Sequence, residues 1–344
     1  MKWIKRSALL ILILFLILTV GYFSEIIYGI RQLQGQLKII KGSIELDEYL
    51  ANPSKPDSIK QKLGLVTRVK EFSINILEFN STDNYTSVYD QKGEDILWVL
   101  TASLPFKLEP KTWKFPFLGE VTYKGHFNLH RAIQEARELE KENWDVNVRT
   151  VTAWSTLGWF SDPVLTGMLD RREGELAELI LHELTHSTLF VKDSVEFNEN
   201  LASFIGTKAA KLFLISEYGK DSNQFIEYEN GLKDQQKIVN FMLTSASKLD
   251  SLYTNFANQT DTAQIKKYKD EMITRIINNL DTVTFENKNE FQDFFRERKP
   301  NNAFFMNFVR YNSMEDEFER ILASKFDGDL KSFLDFFKTN YPSL

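Results

Sequence analysis

Residues 173–191 read EGELAELILHELTHSTLFV, with one early glycine and no proline. Leu176, Ala177, Leu179, Ile180, Leu181 and Leu184 make most of the circumference apolar, which predicts a buried helix rather than a surface one. Glu173, Glu175 and Glu178 sit in the first turns, where they favour the helix macrodipole, and Asp170 is placed to cap the start. Into this interior the helix carries His182-Glu183-Leu184-Thr185-His186. Four residues turn a helix through about 400°, so both imidazoles leave one face, one turn apart. Two neutral imidazoles held in that way can share one tetrahedral zinc ion. Glu183 stands about 100° from His182 and about 60° from His186, close enough to act on a zinc-bound water without ligating the metal. That is the layout of a zinc peptidase site. The plain alternative is a pair of core histidines satisfied by backbone carbonyls, because a bare HExxH string also arises by chance.

The next segment raises the odds of a site. After a polar break, NENLASFIGTKAAKLFLISEYG resumes with Ala202, Phe204, Ile205, Ala209, Leu212 and Phe213 as a helical apolar stripe. A loop of about ten residues lets this second helix fold back on the first. Its first turn then delivers a carboxylate to the imidazoles. Glu199 lies inside the helix, beside Asn198, which can cap or orient it; Glu196, assigned to the loop, is the alternative. Two histidines and one glutamate form a catalytic zinc set with a position left for water. Zinc lowers that water's pKa toward about 7, and Glu183 would take its proton and pass it to a leaving amine. A second pair, His126 and His130, has the same spacing but no adjacent glutamate. With Asn128 as N-cap, His126 precedes its helix, and the pair reads as structural.

The chain has 344 residues, a net charge of −6, four histidines and no cysteine. Mixed charges without a basic patch argue against nucleic acid. The absence of cysteine excludes disulfides, thiolate ligands, a cysteine nucleophile and a lipoprotein anchor. Lys2, Lys5 and Arg6 precede an uncharged run over 8–23. It is short for a span of about 17–25 residues but can extend further. The basic flank places residues 1–6 in the cytoplasm, 7–24 across the bacterial cytoplasmic membrane and the rest on the periplasmic or external side. A cleaved signal peptide is the rival reading, with Thr19 and Gly21 as small residues near a cleavage position. The helical pattern runs on through Tyr28, Leu33, Leu37 and Ile40, which favours an uncleaved anchor.

Residues 25–56 then form a juxtamembrane helix and a linker broken at Pro53 and Pro56, and 57–344 the main domain. Another helix is predicted over 59–79. SVYDQKGEDILWVLTASL reads as a hairpin turning at Gln91-Lys92-Gly93-Glu94, LEPKTWKFPFLGEVTYKG as irregular, and 146–154 as an exposed edge strand. Beyond Gly206 the chain is nearly all helical. The fold class is therefore α+β, predominantly helical, with a small sheet. Asn80-Ser81-Thr82, Asn84-Tyr85-Thr86 and Asn258-Gln259-Thr260 are glycosylation-type triplets that matter only in a eukaryotic secretory pathway.

With these residues in view, the chain resembles the bacterial putative aminopeptidase family, membrane-associated zincin-like proteins. The segments that carry the resemblance are YGIRQLQGQLKIIKG, LEPKTWKFPFLGEVTYKGHF, TAWSTLGWFSDPVL, LILHELTHSTLFVKDSVEFNENLASFIG and NNAFFMNFVRY. Together they span roughly 21–340. The resemblance implies His182, His186 and Glu199 as ligands of one zinc ion, in the gluzincin manner, and Glu183 as general base. It also implies peptide substrates. Two departures stand out: an apolar helix replaces the N-terminal cysteine anchor of many relatives, and His126 replaces a more usual aromatic. Tyr123 and Tyr311, each in a family-like segment, are candidate oxyanion donors, although a plain packing role is the commoner one for each. The 146–154 strand could pair with substrate backbone, and Trp159 and Phe160 could shape a pocket. Asp162 and Glu120 are candidates to hold a substrate amino terminus. Endopeptidase activity and a non-catalytic envelope role with a structural metal are the competing functional readings.

Overall fold

The computed structural model describes residues 22–115, 119–153, 160–192, 194–256, 261–286, 295, 299–312 and 314–341, with backbone only at 310–312. The predicted span over 7–24 lies almost wholly outside these residues. Among the described residues, no helix is long and apolar enough to cross a membrane.

The architecture is α+β and mostly helical, and it is organised around one helix pair. Helix α1 is Phe23–Gly42, followed by strand β1 (Ser43–Glu45) and helices α2 (Leu46–Ala51) and α3 (Asp57–Asn75). Strands β2 (Ser87–Tyr89), β3 (Trp98–Ser103), β4 (Trp113–Phe115), β5 (Gly119–Val121) and β6 (Lys124–His126) lead to α4 (Leu129–Lys141). After β7 (Asp145–Thr150) and β8 (Val164–Leu165) come the central helices α5 (Glu173–Thr188) and α6 (Val195–Tyr218). The remainder is helical: α7 (Asn223–Asn255), α8 (Thr262–Leu280), α9 (Asn302–Asn312), α10 (Glu315–Phe326) and α11 (Leu330–Asn340).

The expected hairpin over 87–104 does not form. Its turn is present, with Lys92 and Gly93 at positive φ and Glu94 N–H donating to Gln91 O (3.0 Å). The two arms, however, enter different sheets, one ordered β1-β2-β8 and the other β6-β3-β7. Gln91 explains the divergence: its backbone N–H donates to Thr166 Oγ1 (2.9 Å) and its side chain accepts from Gly167 N–H (2.7 Å). These bonds hold the first arm against β8. The segment read as irregular contains a small antiparallel pair, β4-β5. The strand expected over 146–154 occupies the edge of its sheet as β7, ending at Thr150.

Residues 28–51, expected as a juxtamembrane segment outside the main domain, are built into the body. Tyr28 O–H (2.9 Å) and Gln32 Nε2 (3.0 Å) both donate to Gly125 O on β6, while Ile39 and Tyr49 enter the main core. That core lies around α3, α5 and α6 and is closed by Phe318, Phe333 and Phe337. A second core joins α7, α8 and α9, and a third joins β3 and β7 to α4.

Candidate metal centre

Helix α5 is buried on most sides, as its sequence predicts: Leu176, Ala177, Ile180 and Leu181 have no exposed surface. Its start differs from the expectation. Asp170 belongs to a preceding 3₁₀ turn, and Arg172 is the N-cap residue. Arg172 N–H donates to the Glu175 carboxylate (3.2 Å), which its own guanidinium also grips, so the carboxylate two residues inside the helix serves as the cap.

Helix α6 runs antiparallel to α5. Glu199 meets His182 and His186, and further along Gly206 lies against His182 and Thr207 against Glu178. A Cβ added at Gly206 would stand 3.1 Å from Glu178 O, 3.2 Å from His182 N and 3.3 Å from His182 Cβ. Only glycine lets the helices approach this closely. The link between them is six residues, shorter than expected, because α6 already starts at Val195. Glu196 is therefore in the helix, not the loop, and it is exposed. Asn198 neither caps α6 nor touches Glu199. Its amide accepts from Val191 N–H (2.8 Å) and donates to Val191 O (2.7 Å), pinning the link beneath the helix start.

His182 Nε2 and His186 Nε2 stand 3.2 Å apart, and Glu199 Oε2 lies 3.5 Å and 3.8 Å from them. Two atoms bound to one tetrahedral zinc at about 2.0–2.2 Å are themselves about 3.3–3.6 Å apart. Only the His182–Glu199 distance falls in that range, but the histidine pair is just under it and the His186–Glu199 gap just over it, so shifts of a few tenths of an ångström would let the three close on one ion, with a two-nitrogen, one-oxygen donor set that suits zinc. These three residues form a group able to hold a metal ion. Burial works to raise the Glu199 pKa, but hydrogen bonds and charge from His182 and His186 outweigh it and hold the carboxyl well below its usual range. His186 Nδ1 is buried with no hydrogen-bond partner among the described residues, so nothing there competes for the direction of its ring. On the other ring, Ser203 Oγ lies 3.4 Å from His182 Nδ1.

Glu183 follows His182 on α5 and is half-buried. Burial pushes its carboxyl up to about 7; the negative charges of Glu199 and Asp162 add to the rise, and His182 opposes it. Asp162 is itself buried, and its backbone is held from both sides: its N–H donates to Asn84 Oδ1 (3.0 Å) and its carbonyl accepts from Tyr85 N–H (2.7 Å). Asn84 also donates to Ser187 Oγ (2.9 Å), tying this loop to the end of α5. Tyr85 is buried at φ +64°, a conformation costly for an aromatic residue, next to the charges of Glu183 and Asp162. Asn84 and Tyr85 thus form an internal brace, with the Asn84 amide engaged by Asp162 and Ser187. Asn258-Gln259-Thr260 lies outside the described residues.

The remaining predicted residues fall elsewhere. Glu120 is half-exposed on β5 and paired with Lys114 (2.6 Å). His126 is buried in β6, 3.5 Å from Glu135, and His130 is exposed on α4, so the two share no site. Tyr123 is half-buried between β5 and β6. Tyr311 lies in α9, its side chain outside the described residues; just beyond, Asn200 accepts from Met314 N–H (3.1 Å) and ties the start of α10 to α6. Trp159 lies outside the described residues. The sequence reading missed Ser203 and the Asn84–Tyr85 brace. Ser203 carries a usable signal, since it follows Glu199 by one helical turn.

Two antiparallel helices presenting two imidazoles and a carboxylate form a helix pair able to hold a metal ion. The chain belongs to the family described as "Putative aminopeptidase", whose model matches residues 27–339. Membership supports a peptidase, and hence a hydrolase, in coarse terms. No curated protein and no solved structure matches the chain.

Proposed function

We propose that the protein is a membrane-anchored zinc peptidase, acting as an aminopeptidase on peptides outside the cytoplasmic membrane. The observation that carries this reading is the donor triangle of His182, His186 and Glu199, with Glu183 next to His182 on the same helix and within reach of the charges of His182 and Glu199. His182, His186 and Glu199 would hold the ion. When bound, zinc supplies Lewis acidity that acidifies water and polarises a carbonyl. Glu183 takes the proton of the attacking water as its oxygen bonds to the scissile carbonyl carbon, then delivers that proton to the nitrogen as the C–N bond breaks. Ser203 steadies the His182 ring. Of the two candidate acids we favour Asp162 to hold a substrate amino terminus, since its charge reaches Glu183 whereas Glu120 lies on β5 beside Lys114. The run over 8–23 supports the anchor, with residues 1–6 in the cytoplasm.

The test compares the full chain with Glu183→Gln. Both should bind about one zinc per chain, and the variant should lose cleavage by about 10²–10⁴-fold. Full cleavage by metal-free protein, or by the variant, would reject the mechanism. N-acetylated peptides should resist; their cleavage would favour an endopeptidase.

A further inference from the structure

The first half of α1 exposes Tyr22, Phe23, Ile26, Ile30 and Leu33, each 41–61% accessible. They are five of the eleven exposed large hydrophobics among the described residues, gathered within twelve positions. The stripe has a strict rhythm: Phe23, Ile26, Ile30, Leu33, Leu37 and Ile40 follow one another by three, four, three, four and three. At about 100° per residue these six fall in an arc of about 100°, the narrow seam of a coiled coil. The opposite face of α1 is taken. Tyr28 and Gln32 bond Gly125 there, Gly35 admits the Phe127 ring, where a Cβ would come within 2.2 Å, and Ile39 enters the core. The first four seam residues therefore point away from their own domain, while Leu37 and Ile40 are half-buried.

What covers it? A helix lying in a lipid surface has a broad apolar face bordered by basic residues. This seam is narrow, and the positions flanking it, Ile27, Gly29, Gln34 and Gln36, are uncharged. Two identical copies set side by side meet no like charges before Lys41. The uncharged run over 8–23 ends at the seam's first residue. We propose that α1 pairs with α1 of a second copy, in parallel, through Phe23, Ile26, Ile30 and Leu33. Eighteen residues fall short of the three to four heptads of a free-standing coiled coil. Confinement of both copies by that apolar run raises their effective concentration. The pairing rests on the anchor of the proposed function and not on its chemistry.

The chain lacks cysteine, so single substitutions report cleanly. In the full chain, Ile30→Cys or Leu33→Cys treated with the thiol oxidant diamide should give a disulfide-linked dimer. Ser24→Cys and Arg31→Cys, exposed but off the seam, should give at least about tenfold less, because a disulfide needs Cβ atoms about 3.5–4.5 Å apart. Adding Ile26→Glu to the Leu33→Cys chain should abolish the dimer by setting two carboxylates in the seam. Equal cross-linking at all four positions, or none at the seam, would overturn the pairing. Membrane fractionation of the same samples reads the anchor separately, and peptide cleavage reads the site.

Discussion

Gly206→Ala tests whether contact between α5 and α6 sets the metal triangle. The new methyl would meet Glu178 O, His182 N and His182 Cβ at 3.1, 3.2 and 3.3 Å. Carbon contacts are comfortable at about 3.5–4.0 Å, so the helices must part by about 0.3–0.5 Å. Overpacking costs about 1–3 kcal/mol, and replacing glycine inside a helix returns about 1 kcal/mol. The net destabilisation is therefore small, about 0–2 kcal/mol. The effect on the ligands is larger. Glu199 is 3.5 Å from His182 Nε2, inside the range of about 3.3–3.6 Å for atoms sharing one zinc, and 3.8 Å from His186 Nε2, already past its upper end. Any parting of the helices widens both distances and adds to the movement the carboxylate must make to close on an ion. Zinc affinity, measured by competition with a chromogenic chelator, should fall by about tenfold or more, equivalent to about 1.4 kcal/mol, while the melting temperature of the metal-free chain moves by only a few degrees. Unchanged zinc affinity with a normal melt would refute the reasoning, because the triangle would then not depend on this contact.

Ser203→Ala should weaken zinc about tenfold, the low end for an outer partner of a ligating histidine given its 3.4 Å separation, with Ser203→Thr restoring most of it. Asn198→Ala removes two bonds to the Val191 backbone and should destabilise by about 1–3 kcal/mol in denaturant unfolding. A loss below a few tenths would show that the six-residue link does not need its brace. Asp162→Asn should raise KM for peptides with a free amino terminus and leave zinc content unchanged. An equal loss on N-acetylated peptides would point to a structural role instead.

Much of the site was legible because one helix encodes it. His182, Glu183 and His186 lie within five residues, so helical period alone places them on adjoining faces. Glu199 was reachable because it opens the next apolar segment. Asp162 and Glu120 were equivalent in sequence. They separate only when the fold buries one beside Glu183 and leaves the other on an exposed hairpin with Lys114. Asn198 was read as serving Glu199 because it is adjacent in sequence; on a helix, neighbours point about 100° apart, and it serves the link instead. The Asn84–Tyr85 brace gave no local signal, because its partners are Asp162 and Ser187, far along the chain.

By itself, then, the sequence determined what repeats at short range: a buried α5, an apolar α6, the rhythm of α1 and the near-total helicity after Gly206. Tertiary structure decided everything that required distant segments to meet. It separated the two arms of the 87–104 stretch into different sheets, packed α1 onto β6, brought Glu199 rather than the exposed Glu196 to the imidazoles and let α5 and α6 approach closely at Gly206. The physical reason is range. Periodicity and capping act over one or two helical turns, whereas the choice among chemically similar carboxylates depends on which of them the packed core leaves facing the imidazoles.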